Sequence, residues 1–197
     1  MKKSVVLILT IAIVIFTYIL YYFRKSDHLI GIIAYALSII FFYIADKTFK
    51  IDFKRNHYFL LIFMATAGIL LSPVYFFWPI YDKILHLTFP FLGCFLIYYI
   101  VDKQKISFKT KILFTFTIMI TLLAFEEIVE FSLDYFFDLK LQGVYLGSRI
   151  LFQSISADQL KLINSQITDT MFDLIIGVIG SLIFVIAKSI AKVKKRK

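Results

Sequence analysis

The run DKILHLTFPFLGCFLIYYIV (Asp82–Val101) decides the fold. A helix rises about 1.5 Å per residue and needs roughly 17–25 apolar residues to cross a bilayer, so this stretch has membrane length. Its charge is confined to the first turn or so: Asp82, Lys83 and the titratable His86 come first, and uncharged residues follow. Ionisable groups in hydrocarbon cost about 2.5 kcal/mol or more on insertion scales, so they usually face a protein interior and do a job there.

Five further runs have comparable length: Ser4–Phe23, Leu29–Ala45, Tyr58–Trp78, Ile112–Tyr135 and Asp169–Ala187. The first is too long for a signal-peptide core and has no small-residue cleavage site after it, so it reads as a retained helix. Hydrophobic residues make up 60% of the 197-residue chain, and the mean hydropathy is +0.86. Soluble domains hold about 45–50% apolar residues. The expected fold class is therefore all-α: a polytopic membrane helix bundle with six transmembrane helices in one integral membrane domain, residues 1–197. With a single cysteine, Cys94, no internal disulfide is available and helix packing must carry the fold.

Basic residues orient the bundle. The N-terminus, Lys47 to Arg55, Lys103 to Lys111 and the tail from Lys188 hold sixteen of the 22 Lys and Arg. The opposite side holds Arg24, Lys25, Lys83, Lys140, Arg149 and Lys161. The positive-inside rule then puts both termini in the cytoplasm of a cell membrane. The net charge of +9 reads as this topology signal and as contact with membrane lipids. No nucleic-acid motif accompanies it, so a nucleic-acid partner is not expected.

Six ionisable residues form three pairs: Asp82 with His86, Glu127 with Glu130, and Asp169 with Asp173. Each spacing, i,i+4 or i,i+3, puts a pair on one helix face. Counted from the cytoplasmic flanks, His86, Glu127 and Asp173 lie about 22–24 Å up their helices, and Asp82, Glu130 and Asp169 about 28–30 Å. Two shared layers imply one polar pocket near the outer surface. Each pair also has a plainer reading. Asp82 and Asp169 sit near helix N-termini, where the dipole favours a carboxylate, and Thr168 is placed to cap the last helix. His86 taken alone reads as a buried, hydrogen-bonded histidine. Glu126 has no assigned face.

Carboxylates this close cannot all stay ionised in low dielectric without a cation. A divalent metal on Asp82, His86, Glu127, Glu130, Asp169 and Asp173 is one solution, and shared protons are the other. The Glu-x-x-His repeat of di-iron bundles is missing, as are P-loop, Gly-x-Ser-x-Gly and His-Glu-x-x-His motifs.

The blocks Tyr81-Asp82-Lys83-Ile84-Leu85-His86, Glu127-Ile128-Val129-Glu130-Phe131, Gln142-Gly143 and Asp169-Thr170-Met171-Phe172-Asp173-Leu174 follow in that order. They resemble the YjdF-like inner-membrane family and, more distantly, VanZ-like proteins. The resemblance covers roughly Tyr81 to Ser181. It implies a membrane protein with these site residues but no particular reaction, and it favours Glu127 over Glu126 as the partner of Glu130. Here about 25 residues separate Gln142-Gly143 from Asp169, more than is usual in that family.

Within that longer stretch, Ser156 to Gln159 has the form of a capping box, and Leu160, Ile163 and Ile167 follow at helical spacing. A short amphipathic helix on the outer surface is expected. Arg149 is a candidate partner for the acidic cluster or for a phosphate-bearing substrate, although loop arginines are usually just solvated. Three functions fit. One is a membrane enzyme in which a metal and Glu127 or Asp173 as base act on a lipid-linked or amphiphilic substrate. Another is a cation- or proton-coupled transporter. The third is a structural or accessory protein whose polar cluster locks helices together.

Overall fold

The computed structural model describes Thr10 and residues 29–76, 78–137, 141–147 and 160–194. These residues fall into two compact units. The first holds helices α1 (Leu29–Thr48) and α2 (Arg55–Ala65), a π-helical turn (Thr66–Leu70) and a 3-10 turn (Ser72–Phe76). The second holds α3 (Ile80–Asp102), α4 (Phe108–Phe137), strands β1 (Val144–Gly147) and β2 (Leu160–Asn164), and α5 (Gln166–Lys194).

In the first unit, α1 and α2 pack through Tyr35, Ile39 and Ala65. Asp46 organises the turn between them: its carboxylate accepts the Phe53 N–H at 3.0 Å and the Tyr58 hydroxyl. Phe42 stacks on Phe53 and meets Tyr58 edge-on. The expected span Tyr58–Trp78 is not one helix. The ladder widens at Thr66, whose carbonyl accepts from Leu71, and the α-helix has ended by Ser72. Pro73 has no N–H to continue the ladder and disfavours helical geometry in the residue before it. Composition alone hides this break because the stretch is apolar throughout.

Among the described residues, three helices are long and apolar enough to cross a membrane: Ile80–Asp102, Phe108–Phe136 and Gln166–Lys194. These correspond to the fourth, fifth and sixth expected spans. The second expected span coincides with α1, which is not among these three, and of the first only Thr10 is described. Along the three long helices, Phe95, Leu113, Phe114, Ile118, Leu122, Ile179, Leu182 and Ile186 are exposed. A water-facing surface would carry polar groups at such positions, whereas this apolar exterior matches hydrocarbon.

The core of the second unit is Cys94, Tyr98, Met119, Leu123 and Phe184. Phe184 meets the Phe95 ring edge-on at 4.9 Å. The buried hydroxyls of Thr115 and Ser181 donate to carbonyls one turn back on their own helices, Lys111 and Gly177. Pro90 lies inside α3 and has no N–H to give the carbonyl of His86, four residues earlier.

The outer-surface helix expected at Leu160–Ile167 is instead strand β2 followed by the start of α5, while Ser156 to Gln159 lie outside the described residues. β2 pairs antiparallel with β1, from Val144 opposite Asn164 to Gly147 opposite Leu160. Ser165, not Thr168, caps α5: its hydroxyl accepts the Thr168 N–H at 3.3 Å.

Small residues on α5 set the close helix approach. A Cβ on Gly180 would stand 2.2 Å from the Leu87 carbonyl oxygen of α3, and one on Gly177 would meet the Leu123 side chain at 2.4 Å. Backbone cannot yield as a leucine rotamer can. Gly180→Ala should therefore destabilise by about 1–3 kcal/mol, and Gly177→Ala by less. Thermal unfolding in detergent reads the order, and an equal or reversed order would contradict this packing.

Candidate functional site

The site is built at the N-terminal ends of α3 and α5 and in the C-terminal half of α4. Lys83 sits at its centre. Its ammonium donates to Asp82 Oδ2 at 2.9 Å, to both oxygens of Asp173 at 2.7 Å, and to Asp169 Oδ1. Asp169 and Asp173 are each 3% exposed. Charge counting placed Lys83 among the outer-side topology residues. Its side chain instead turns inward and supplies a cation that the aspartates need.

The Gln142-Gly143 turn closes the same cluster despite its distance in sequence from Asp169. Gly143 N–H donates to Asp169 Oδ2 at 3.0 Å, so both oxygens of that buried carboxylate have donors. Gly143 has φ +88°, and a Cβ there would crowd the Asn164 carbonyl at 3.3 Å, so the turn requires glycine. Asp134, one turn beyond Glu130 on α4, accepts the N–H groups of Leu141 and Gln142 at 2.7 and 2.8 Å. The buried Gln142 amide donates to Thr170 Oγ1 at 3.1 Å. Thr170 is also a side-chain hydrogen-bond partner of Glu127.

His86 is 7% exposed and lies between two acidic groups. Its Nε2 faces Asp82 Oδ1 at 3.5 Å and Asp173 Oδ1 at 3.9 Å, and its Nδ1 faces Glu126 Oε2 at 3.9 Å. Two sets of ligand-type atoms therefore converge, Asp82–His86–Asp173 and His86–Glu126–Glu127, with the atoms of each set within 4.8 Å of one another. Oxygen and imidazole ligands at about 2.0–2.6 Å from one ion span such separations.

The two halves differ in charge balance. Lys83 already engages Asp82 and Asp173. Among the described residues the glutamate half has no ion-pair partner apart from His86, and Glu127 Oε1 is buried without a hydrogen-bond partner. Buried polar atoms are nearly always satisfied, so this oxygen calls for a donor, whether its own proton, a water or a cation.

The expected residues divide accordingly. Asp82, His86, Glu127, Asp169 and Asp173 come together, and Glu126 joins them on the His86 side. Glu130 belongs to neither three-ligand set, and Glu126, which belongs to one, is half-exposed. Arg149 lies outside the described residues. Lys83 was the residue missed, and its signal was available: it stands three residues before His86, on the same face of α3.

These features define a membrane-helix bundle with a buried polar site at one end. The chain belongs to the family described as predicted membrane protein (DUF2238), whose profile matches residues 3–194. This is the YjdF-like family that the motifs resemble. No curated protein and no solved structure matches the chain.

Removing one partner of a buried ion pair typically costs about 3–5 kcal/mol, because the other charge is stranded. Lys83→Met should destabilise on that scale, and Asp82→Asn much less, since the ammonium keeps Asp169 and Asp173. Chemical unfolding in detergent measures both. A Lys83→Met variant as stable as wild type would remove Lys83 from its central place.

Proposed function

We propose that this chain is a multi-pass protein of the cell membrane, with both termini cytoplasmic, that binds a divalent cation at His86, Glu126 and Glu127. The cation serves chemistry on a lipid-linked or amphiphilic substrate at the outer leaflet. The observation that carries the reading is the buried Glu127 Oε1 beside His86, which has no hydrogen-bond partner among the described residues and lies in the half of the site that Lys83 does not neutralise. A bound cation would polarise a substrate oxygen or activate water.

The residue roles follow from the contacts. His86 and the two glutamates supply nitrogen and oxygen ligands, a set suited to Mn²⁺, Zn²⁺ or Mg²⁺. Glu127, a candidate base from sequence, acts here as a ligand through the oxygen that has no hydrogen-bond partner among the described residues. Asp173 was an equal candidate from sequence, but both its oxygens accept from Lys83, which fits a counter-ion better than a base. Asp82 and Asp169 complete the clamp. A transport reading draws less support. The buried polar side chains farther down these helices include Thr115 and Ser181, whose hydroxyls are spent on their own helices, and transporter sites usually lie near the bilayer midplane.

Elemental analysis of protein purified with Mn²⁺ or Zn²⁺ present tests this. Wild type should retain about one divalent ion per chain, and Glu127→Gln and His86→Ala should lose it while staying folded. Retention of the ion by both variants would defeat the assignment. For orientation, Lys105→Cys should label only from the cytoplasmic side and Leu141→Cys only from outside, and the reverse pattern would move the site to the cytoplasm.

A further inference from the structure

A pocket lies at the end of the same three helices opposite the acidic site. It has a volume of about 390 Å³ and is lined by Tyr98, Asp102, Phe108, Lys111, Lys188 and Lys192, with Ile106 and Ala191 at its apolar margin. Asp102 is twenty residues along α3 from Asp82, about 30 Å at helical rise, so the pocket is separate from the acidic site.

Its charge is of the opposite sign. Three lysines and one aspartate line it, and the aspartate is already engaged: Lys111 Nζ donates to Asp102 Oδ1 at 2.9 Å and to its backbone carbonyl at 2.6 Å. Lys188 and Lys192 instead rest over aromatic faces, 4.1 Å from the Tyr98 ring centroid and 5.5 Å from that of Phe108. An aromatic face holds an ammonium in place without cancelling its charge. The pocket therefore carries a net positive balance, three lysines against one aspartate, beside aromatic and aliphatic side chains. It opens at the end of the bundle where basic residues accumulate.

We propose that this pocket binds the phosphate-bearing headgroup of an anionic phospholipid, with Lys188 and Lys192 on the phosphate and Tyr98, Phe108 and Ile106 against the glycerol and upper acyl carbons. Inorganic phosphate shares the charge chemistry but has nothing to lay against the apolar side chains. Basic pockets between transmembrane helices on the cytoplasmic side are suited to such headgroups. A plain topology signal would need only lysines in solvent, whereas these two are docked on rings that line a cavity.

The test uses the full chain in a neutral detergent. Phosphatidylglycerol, phosphatidylcholine or inorganic phosphate is titrated in, and binding is followed by thermal stability and by lipid retention in native mass spectrometry. Phosphatidylglycerol should stabilise and co-purify, and the other two should not. Lys188→Gln with Lys192→Gln should weaken that binding roughly thirtyfold, from about 1 kcal/mol per lysine near the surface. Lys188→Arg with Lys192→Arg should keep it, and so should Lys105→Gln with Lys109→Gln, which removes the same charge from positions that do not line the pocket. Equal binding of the two phospholipids would overturn the proposal. So would equal weakening by the 105/109 pair, or a stabilisation that phosphate alone reproduces.

Discussion

The polar end of this bundle depends on one ammonium group. Lys83 contacts three carboxylates on two helices, and two of them, Asp169 and Asp173, are almost fully buried. Without that cation the approach of α3 and α5 would press like charges together in low dielectric. With it, the two helices come close enough for Gly180 to lie against the Leu87 backbone, one residue past His86. The Gln142-Gly143 turn then completes the arrangement by giving Asp169 its second donor. Electrostatic pairing, helix approach and turn geometry thus fix one another around the same few residues.

That arrangement leaves an asymmetry. The aspartate half is balanced from within, by Lys83 and by the backbone N–H of Gly143. Among the described residues the glutamate half, Glu126 and Glu127, meets the imidazole of His86 and a hydroxyl from α5, and one Glu127 oxygen has no donor. His86 stands at the boundary, with one ring nitrogen toward each half. We read the aspartate half as scaffold and the glutamate half as the place where a ligand cation would act.

Much of this was legible in the sequence because it depends on spacing. The three long helices follow from apolar length, and the meeting of Asp82, His86, Glu127, Asp169 and Asp173 follows from counting depth and helical faces. Lys83 escaped because every basic residue near a segment end was assigned to topology, although the crowded carboxylates themselves called for a cation. Leu160, Ile163 and Ile167 fit helical spacing, yet the backbone of Leu160–Asn164 pairs with Val144–Gly147, and that partner strand is not visible from periodicity. Tyr58–Trp78 is apolar enough to read as a span, and hydropathy does not register the break that Pro73 imposes. Gln142 looked remote from Asp169 because separation in sequence says little once a two-stranded ribbon folds the chain back.

In the arrangement we propose, His86 and the glutamates beside it hold a divalent cation while Lys83 occupies the aspartates. Electron spin-echo spectroscopy of the Mn²⁺-loaded protein tests it most directly. We expect nitrogen coupling from a single imidazole that changes with ¹⁵N-histidine labelling, disappears in His86→Ala, and persists in Asp169→Asn. Tightly bound Mn²⁺ with no imidazole coupling, or with a coupling unaffected by His86→Ala, would contradict the account.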